Sequence, residues 1–154
     1  MQPSEKNRVK KCSLFDAAGG FETLRRVHRI FYDKVYVHPW LKQFFEEHNQ
    51  RAIENRQTAF MAEKLGGPAD YWGKQPRMAH RAMYITDELF DIRRRLLLES
   101  LVQAGVADPL RRWLRIDEAF RKQVVKSSIA DFYHTTWRFE QRVIIPKPSD
   151  EYFD

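Results

Sequence analysis

The stretch Gly66-Gly67-Pro68-Ala69-Asp70-Tyr71-Trp72-Gly73-Lys74-Gln75-Pro76-Arg77-Met78-Ala79-His80 constrains this chain more than any other. A helical pattern runs into two glycines and stops, because glycine ends a helix cheaply and proline cannot continue one. An irregular link follows and ends on one histidine, carried by a brief helical turn. Short apolar and aromatic helices are expected on both sides. Such an arrangement holds a single imidazole at the edge of a pocket rather than inside a close-packed core.

The segments before the link read as helices with clear punctuation. Residues 1–12 form an expected mobile basic tail. Ser13 caps a one-turn helix, Leu14 to Ala18, which Gly19-Gly20 ends. From about Phe21 to Val37, Leu24, Val27, Phe31 and Val35 recur at helical spacing as a core stripe. His28 and Tyr32 lie beside that stripe. A buried phenol must find a partner, so Tyr32 either bonds a backbone carbonyl or faces something polar. His38-Pro39 breaks the helix, and Pro39 to Phe45 reads as a short helix with proline first. Of its two adjacent phenylalanines, one is expected in the core and the other is free to line a cavity. Asn49 caps a helix from about Gln50 to Leu65 whose inner face is Ile53, Gln57, Phe60 and Met61. An amide on an apolar face is costly unless paired. Gln57 therefore bonds a neighbouring backbone or points at an internal polar group.

After His80, Thr86 caps a helix with Asp87 and Glu88 in its first turn, closed by Gly105. Leu89, Phe90, Leu96, Leu97, Leu98, Leu101 and Val102 supply its apolar coverage. Asp108-Pro109 starts a last long helix with the stripe Leu110, Trp113, Ile116, Phe120, Val124 and Ile129. No strand alternation or hairpin turn is present, so the fold class is all-α. Three parts are expected: the tail 1–12, a helical domain 13–132 and an extension 133–154 ending in an extended, Pro-containing, acidic tail.

Composition narrows the function classes. One domain with a real core suits 154 residues that are 43% apolar. Eleven phenylalanines suit a core and equally the walls of a planar cofactor site. The formal net charge of +6 arises from scattered pairs and the run Arg93-Arg94-Arg95. It reads as a solvated basic surface, since no recognition-helix motif or aromatic–basic platform supports nucleic-acid binding. Cys12 stands alone, which excludes an internal disulfide and a cysteine metal cluster. No apolar run approaches the ~18 residues of a spanning helix. The polar, basic N-terminus has no apolar signal segment, so a reducing cytoplasm is the expected location.

Taken in order, these residues resemble the truncated haemoglobins, specifically group I or N. The resemblance rests on Gly19-Gly20, Phe31-Tyr32, Pro39 with Phe44-Phe45, and Gln57 with Phe60. It continues through Leu65-Gly66-Gly67-Pro68, Tyr71-x-Gly73, His80, Ile85-Thr86 and Phe90. It spans roughly residues 13 to 105, and more loosely to about 130. It implies a truncated globin, a two-over-two helical sandwich around haem b. His80 would be the proximal ligand of the iron, for which a neutral imidazole is the usual globin choice. Its other nitrogen is expected on a nearby backbone carbonyl.

The resemblance also implies distal roles for Tyr32, above the iron, and for Gln57 beside it. Phe45 would stack on the porphyrin, and Ile53 falls where larger globins carry a distal histidine. Phe60 and Met61 would flank a gas cavity, and Tyr71, Ile85 and Leu97 would complete the cofactor walls. Arg56 would swing outward toward a haem propionate. Three features depart from the family: Met61 replaces a common phenylalanine, the tail after Tyr133 is long, and Arg93 stands where a small or apolar residue usually faces the haem. Arg93 reaches a propionate or the helix is rotated.

The implied function is reversible binding of dioxygen and other diatomic gases (nitric oxide, carbon monoxide), for carriage, storage or nitric oxide removal. A dioxygenase-type turnover of nitric oxide would need an external reductase. The alternative is a globin-shaped sensory or interaction module that signals through haem or has lost it. The expected partners are gases and an external reductase, with no nucleic acid and no membrane span, in a monomer or weak homodimer.

Overall fold

The computed structural model describes residues 13–106, 110–137 and 139–149. The basic tail, the Asp108-Pro109 helix start and the acidic end at 150–154 lie outside these residues. The described chain forms helices α1 (Leu14–Ala18), α2 (Gly20–Val35), α3 (Gln50–Lys64), α4 (Pro76–Ala79), α5 (Asp87–Gln103), α6 (Leu110–Glu118), α7 (Arg121–Val124) and α8 (Ile129–Thr135). A 3-10 turn, Leu41–Phe44, sits between α2 and α3. Helix α2 packs on both α3 and α5, and α5 packs on α6. The described residues thus form an all-α fold built around α2. Among the described residues, no helix is long and apolar enough to cross a membrane.

The caps act where the sequence placed them. The Ser13 hydroxyl accepts from the Asp16 N–H at 3.1 Å. The Asn49 side chain accepts from Ala52 N–H at 3.0 Å, and the Thr86 hydroxyl accepts from Leu89 N–H at 3.2 Å. Gly19, at φ 113°, turns α1 into α2 in a conformation that side chains resist. The expected stripe of α2 is the core: Leu24, Val27, Phe31 and Val35 are all buried.

Helix α3 differs from its expected inner face by one residue of rotation. Its core stripe is Glu54, Thr58, Met61 and Leu65, all buried. The parallel stripe Ile53, Gln57 and Phe60 faces a cavity. Two polar residues can occupy the core stripe because α2 satisfies them. Arg29 Nε donates to Glu54 at 2.9 Å, and His28 Nδ1 lies 2.8 Å from the Thr58 hydroxyl.

Three further expectations are corrected. The short helix after Pro39 is a 3-10 turn, and the His38 ring caps it by accepting from Trp40 and Leu41 N–H. Leu98 and Val102 point outward on α5, at 40% and 63% exposure. The last long helix is broken into α6, α7 and α8. The break frees Phe120 to enter the cavity and leaves Ile129 exposed. Helix α8 ends at Thr135. The chain beyond it runs back beside residues 82–84, where Val143 N–H donates to Ala82 O at 2.7 Å and Tyr84 N–H to Val143 O at 2.8 Å. Trp40 Nε1 donates to Ile145 O at 2.9 Å, and Arg81 pairs with Glu140.

Candidate haem site

The cavity lies between α2, the 3-10 turn, α3, the link at 71–76, α4, the start of α5 and the α6–α7 break. Its volume is about 250 Å³. A single water needs only ~10–15 Å³, so this space is on the scale of an organic ligand. Flat rings dominate the wall: Phe31, Phe44, Phe45, Phe60, Tyr71, Phe90 and Phe120. Both Phe44 and Phe45 line it, where only one was expected. The chain leaves the 3-10 turn at Phe45 (φ −117°, ψ 6°), so the two rings escape the divergence that a continuing helix imposes.

His80 is the C-terminal cap of α4. Its Nδ1 lies 2.7 Å from Pro76 O, in donor geometry for a neutral ring. Burial pushes its pKa below the ordinary imidazole range. The Pro76 carbonyl opposes that, and the charges of Arg93 and Lys126 add to it. A neutral ring with its proton on Nδ1 presents the lone pair of Nε2. The backbone beneath is clamped: Lys126 Nζ donates to the carbonyls of His80 and Met83 at 2.8 Å each, and to Val124 O at 3.0 Å.

Tyr32 reaches the same cavity from α2. Burial pushes its phenol well above the usual range, against the opposing charge of Arg93, so it stays a protonated donor. Phe31 and Phe45 hold the ring edge-to-face at 4.9 and 5.9 Å. Gln57 lines the cavity from α3. Among the described residues, neither the Tyr32 hydroxyl nor the Gln57 amide has a protein hydrogen-bond partner, and neither is sealed in the core. Two polar groups, each costly to bury unpaired, therefore open into one cavity that also holds an imidazole.

Of the residues singled out from the sequence, Tyr32, Gln57, Phe45, Ile53, Arg56, Phe60, Tyr71, Ile85 and His80 line this cavity. Met61 and Leu97 do not. Met61, at 1% exposure, belongs to the core stripe of α3, and Leu97, at 3%, lies one turn past the last cavity residue of α5. Arg56 and Lys74 bring positive charge to the wall, and both side chains are exposed. The Tyr71 hydroxyl donates to Lys74 O, and its ring meets Phe60 at 5.1 Å.

Arg93 belongs to the basic run, and the resemblance also sets it at a haem-facing position; it lines the cavity. Its guanidinium forks onto Asp117 at 2.9 and 2.7 Å and sits over the rings of Phe31 and Phe90 at 5.6 and 5.3 Å. It is tied to α6 through Asp117 rather than turned out to solvent. The signal in the sequence was its spacing from Leu89 and Leu97, four residues each way on an apolar face.

The family model for the bacterial-like globins matches residues 13–126. A group 1 truncated hemoglobin of Chlamydomonas moewusii is 37% identical over 64% of this chain, and the match spans 60% of that relative. One of Mycolicibacterium paratuberculosis is 32% identical over 64% of this chain and 73% of its own length. Among solved structures, the Fe(III) form of truncated hemoglobin from Tetrahymena pyriformis superposes with a TM-score of 0.70. It shares 27% identity and covers 75% of this chain and 100% of its own. Fold, cavity and matched segments agree, and the chain belongs to the bacterial-like globins, within them to the truncated haemoglobins, a family that binds gases through haem.

Proposed function

We propose that this protein holds haem b in the aromatic cavity, with His80 on the iron, and binds neutral diatomic gases on the side of Tyr32 and Gln57. The observation that carries the reading is the pair of unpartnered polar groups, a phenol and an amide, sharing one cavity with a neutral imidazole. When bound, the haem supplies a ferrous centre that takes up such gases reversibly. The chain's own contribution is to orient and to donate. Pro76 O aims the His80 ring, Phe45 and Phe60 supply flat apolar walls, and Tyr32 offers a proton that burial keeps on its oxygen. Arg56 and Lys74 suit the two carboxylates of the macrocycle. Turnover with nitric oxide needs electrons from a reducing partner, and the chain works as a monomer or weak homodimer in the cytoplasm.

The test is the visible absorption of purified protein in its ferric, ferrous and carbon-monoxide forms, repeated on His80→Ala. The expected result is an intense Soret band that shifts with each form and is lost or strongly altered in the variant. A protein that purifies colourless and takes up no added hemin would overturn the proposal.

A further inference from the structure

The Arg93–Asp117 pair is an unusual object to build into a gas cavity. Asp117 is 2% exposed and offers both carboxylate oxygens to Arg93, which keeps 30% of its side-chain surface accessible. Arg93 also lines the cavity, so part of its surface borders the ligand space. The fork uses two of the five guanidinium N–H groups. Among the described residues no other protein acceptor takes the remaining three. The carboxylate stands behind and the cation in front, so the pair is a dipole with its positive end in the chamber.

The neighbouring charges leave that positive end uncancelled. Among the described residues, no carboxylate lines the cavity. Glu118, the next acid along α6, is occupied by Arg94 and Arg121 at 2.9 and 2.7 Å. Phe31 and Phe90 hold the guanidinium from its faces, which fixes it in place. Phe31 in turn packs edge-to-face against Tyr32, so one shared ring joins the guanidinium to the phenol side of the cavity. Arg56 and Lys74 are the other cations of the wall and are exposed, as suits the rim.

We propose that Arg93, braced by Asp117, makes the iron's ligand chamber select small monovalent inorganic anions, of the chemical class of azide and nitrite, as well as neutral gases. This rests on the haem reading above. A fixed guanidinium beside the ligand position offers a charge-assisted hydrogen bond to an anion and much less to carbon monoxide.

Equilibrium titration of the full-length haem-loaded protein tests it, with sodium azide on the ferric form and carbon monoxide on the ferrous form. Arg93→Met is expected to weaken azide roughly tenfold to a hundredfold and to leave carbon monoxide nearly unchanged, while Arg93→Lys recovers part of the azide affinity. Unchanged azide affinity in Arg93→Met, or equal losses for both ligands, would show that the pair only ties α5 to α6. Should Arg93→Met not hold haem, Arg93→Gln decides: losing the charge while keeping an amide donor is expected to weaken azide and leave carbon monoxide nearly unchanged, and an equal azide affinity overturns the proposal. A wild-type protein without a Soret band sinks the haem reading and this one with it. A normal band with an azide affinity indifferent to Arg93 sinks this one alone.

Discussion

The Nδ1 atom of His80 lies 2.7 Å from the carbonyl oxygen of Pro76, its neighbour one helical turn back. That bond fixes the ring's tautomer and aim from within a four-residue helix, and Lys126 fixes the backbone on the other side. His80→Gly is therefore expected to lose most of its capacity to hold haem while keeping its helical content. Added imidazole should restore the Soret band by filling the vacated position. Soret absorbance against hemin concentration, with and without imidazole, is the measurement. Full haem retention in the variant would remove His80 from the site.

Tyr32 is a donor held in place by two aromatic neighbours, so Tyr32→Phe removes one hydroxyl and little packing. One hydrogen bond at about 0.5–1.5 kcal/mol corresponds to roughly two- to twelvefold faster dioxygen release. Carbon monoxide, less polar when bound, should change much less. Stopped-flow displacement of each ligand reads both rates, and equal changes would mean that the phenol merely packs.

His28 supplies the main acid sensitivity expected outside the cavity. It is buried against Thr58 and Trp113, and its pKa is lowered to about 3, first by burial and then by the charge of Arg93. The unfolded chain has the ordinary imidazole value of 6.5 and binds the proton first. Stability is then full above about pH 6.5 and falls as pH drops toward 3, by an amount on the order of several kcal/mol. Burial also lowers the pKa of His38 and His80, so urea unfolding between pH 6.5 and 5, above the carboxylate range, reads these imidazoles together, and the difference between wild type and a variant assigns the share of His28. His28→Gln should flatten the slope there, and an unchanged slope would assign the loss elsewhere.

Gly67 is a steric requirement. A Cβ there would lie 2.5 Å from Cγ of Phe15, whose ring is buried against Phe21. Gly67→Ala should cost about 1–3 kcal/mol through overpacking, visible as a lower thermal midpoint. A midpoint equal to wild type would mean that α1 can shift without loss.

The returning C-terminal chain braces the segment just after His80. Val143→Pro deletes the N–H that serves Ala82 O, a loss of about 1–3 kcal/mol if that carbonyl stays unpaired. Hydrogen exchange at Tyr84, whose amide donates to Val143 O, should accelerate in the variant. Protection equal to wild type would show that this contact does not hold the segment.

The sequence by itself determined the helices and much of the site. Ser13, Asn49 and Thr86 mark helix starts through bonds to amides three residues on, and the glycines at 66–67 stop α3, all readable along a few neighbours. His80, Tyr32 and Gln57 stood out because a polar group in an apolar setting must have a purpose. Tertiary structure decided which charged and polar groups go inside. Glu54, Thr58 and Asp117 look like surface residues until partners from other helices pair with them, here Arg29, His28 and Arg93. Burial of a charge depends on a counter-charge that can lie anywhere in the chain, and no local periodicity encodes that distance. The same long-range packing broke the last helix at Phe120, turned Met61 and Leu97 to the core and gave Arg93 its partner Asp117.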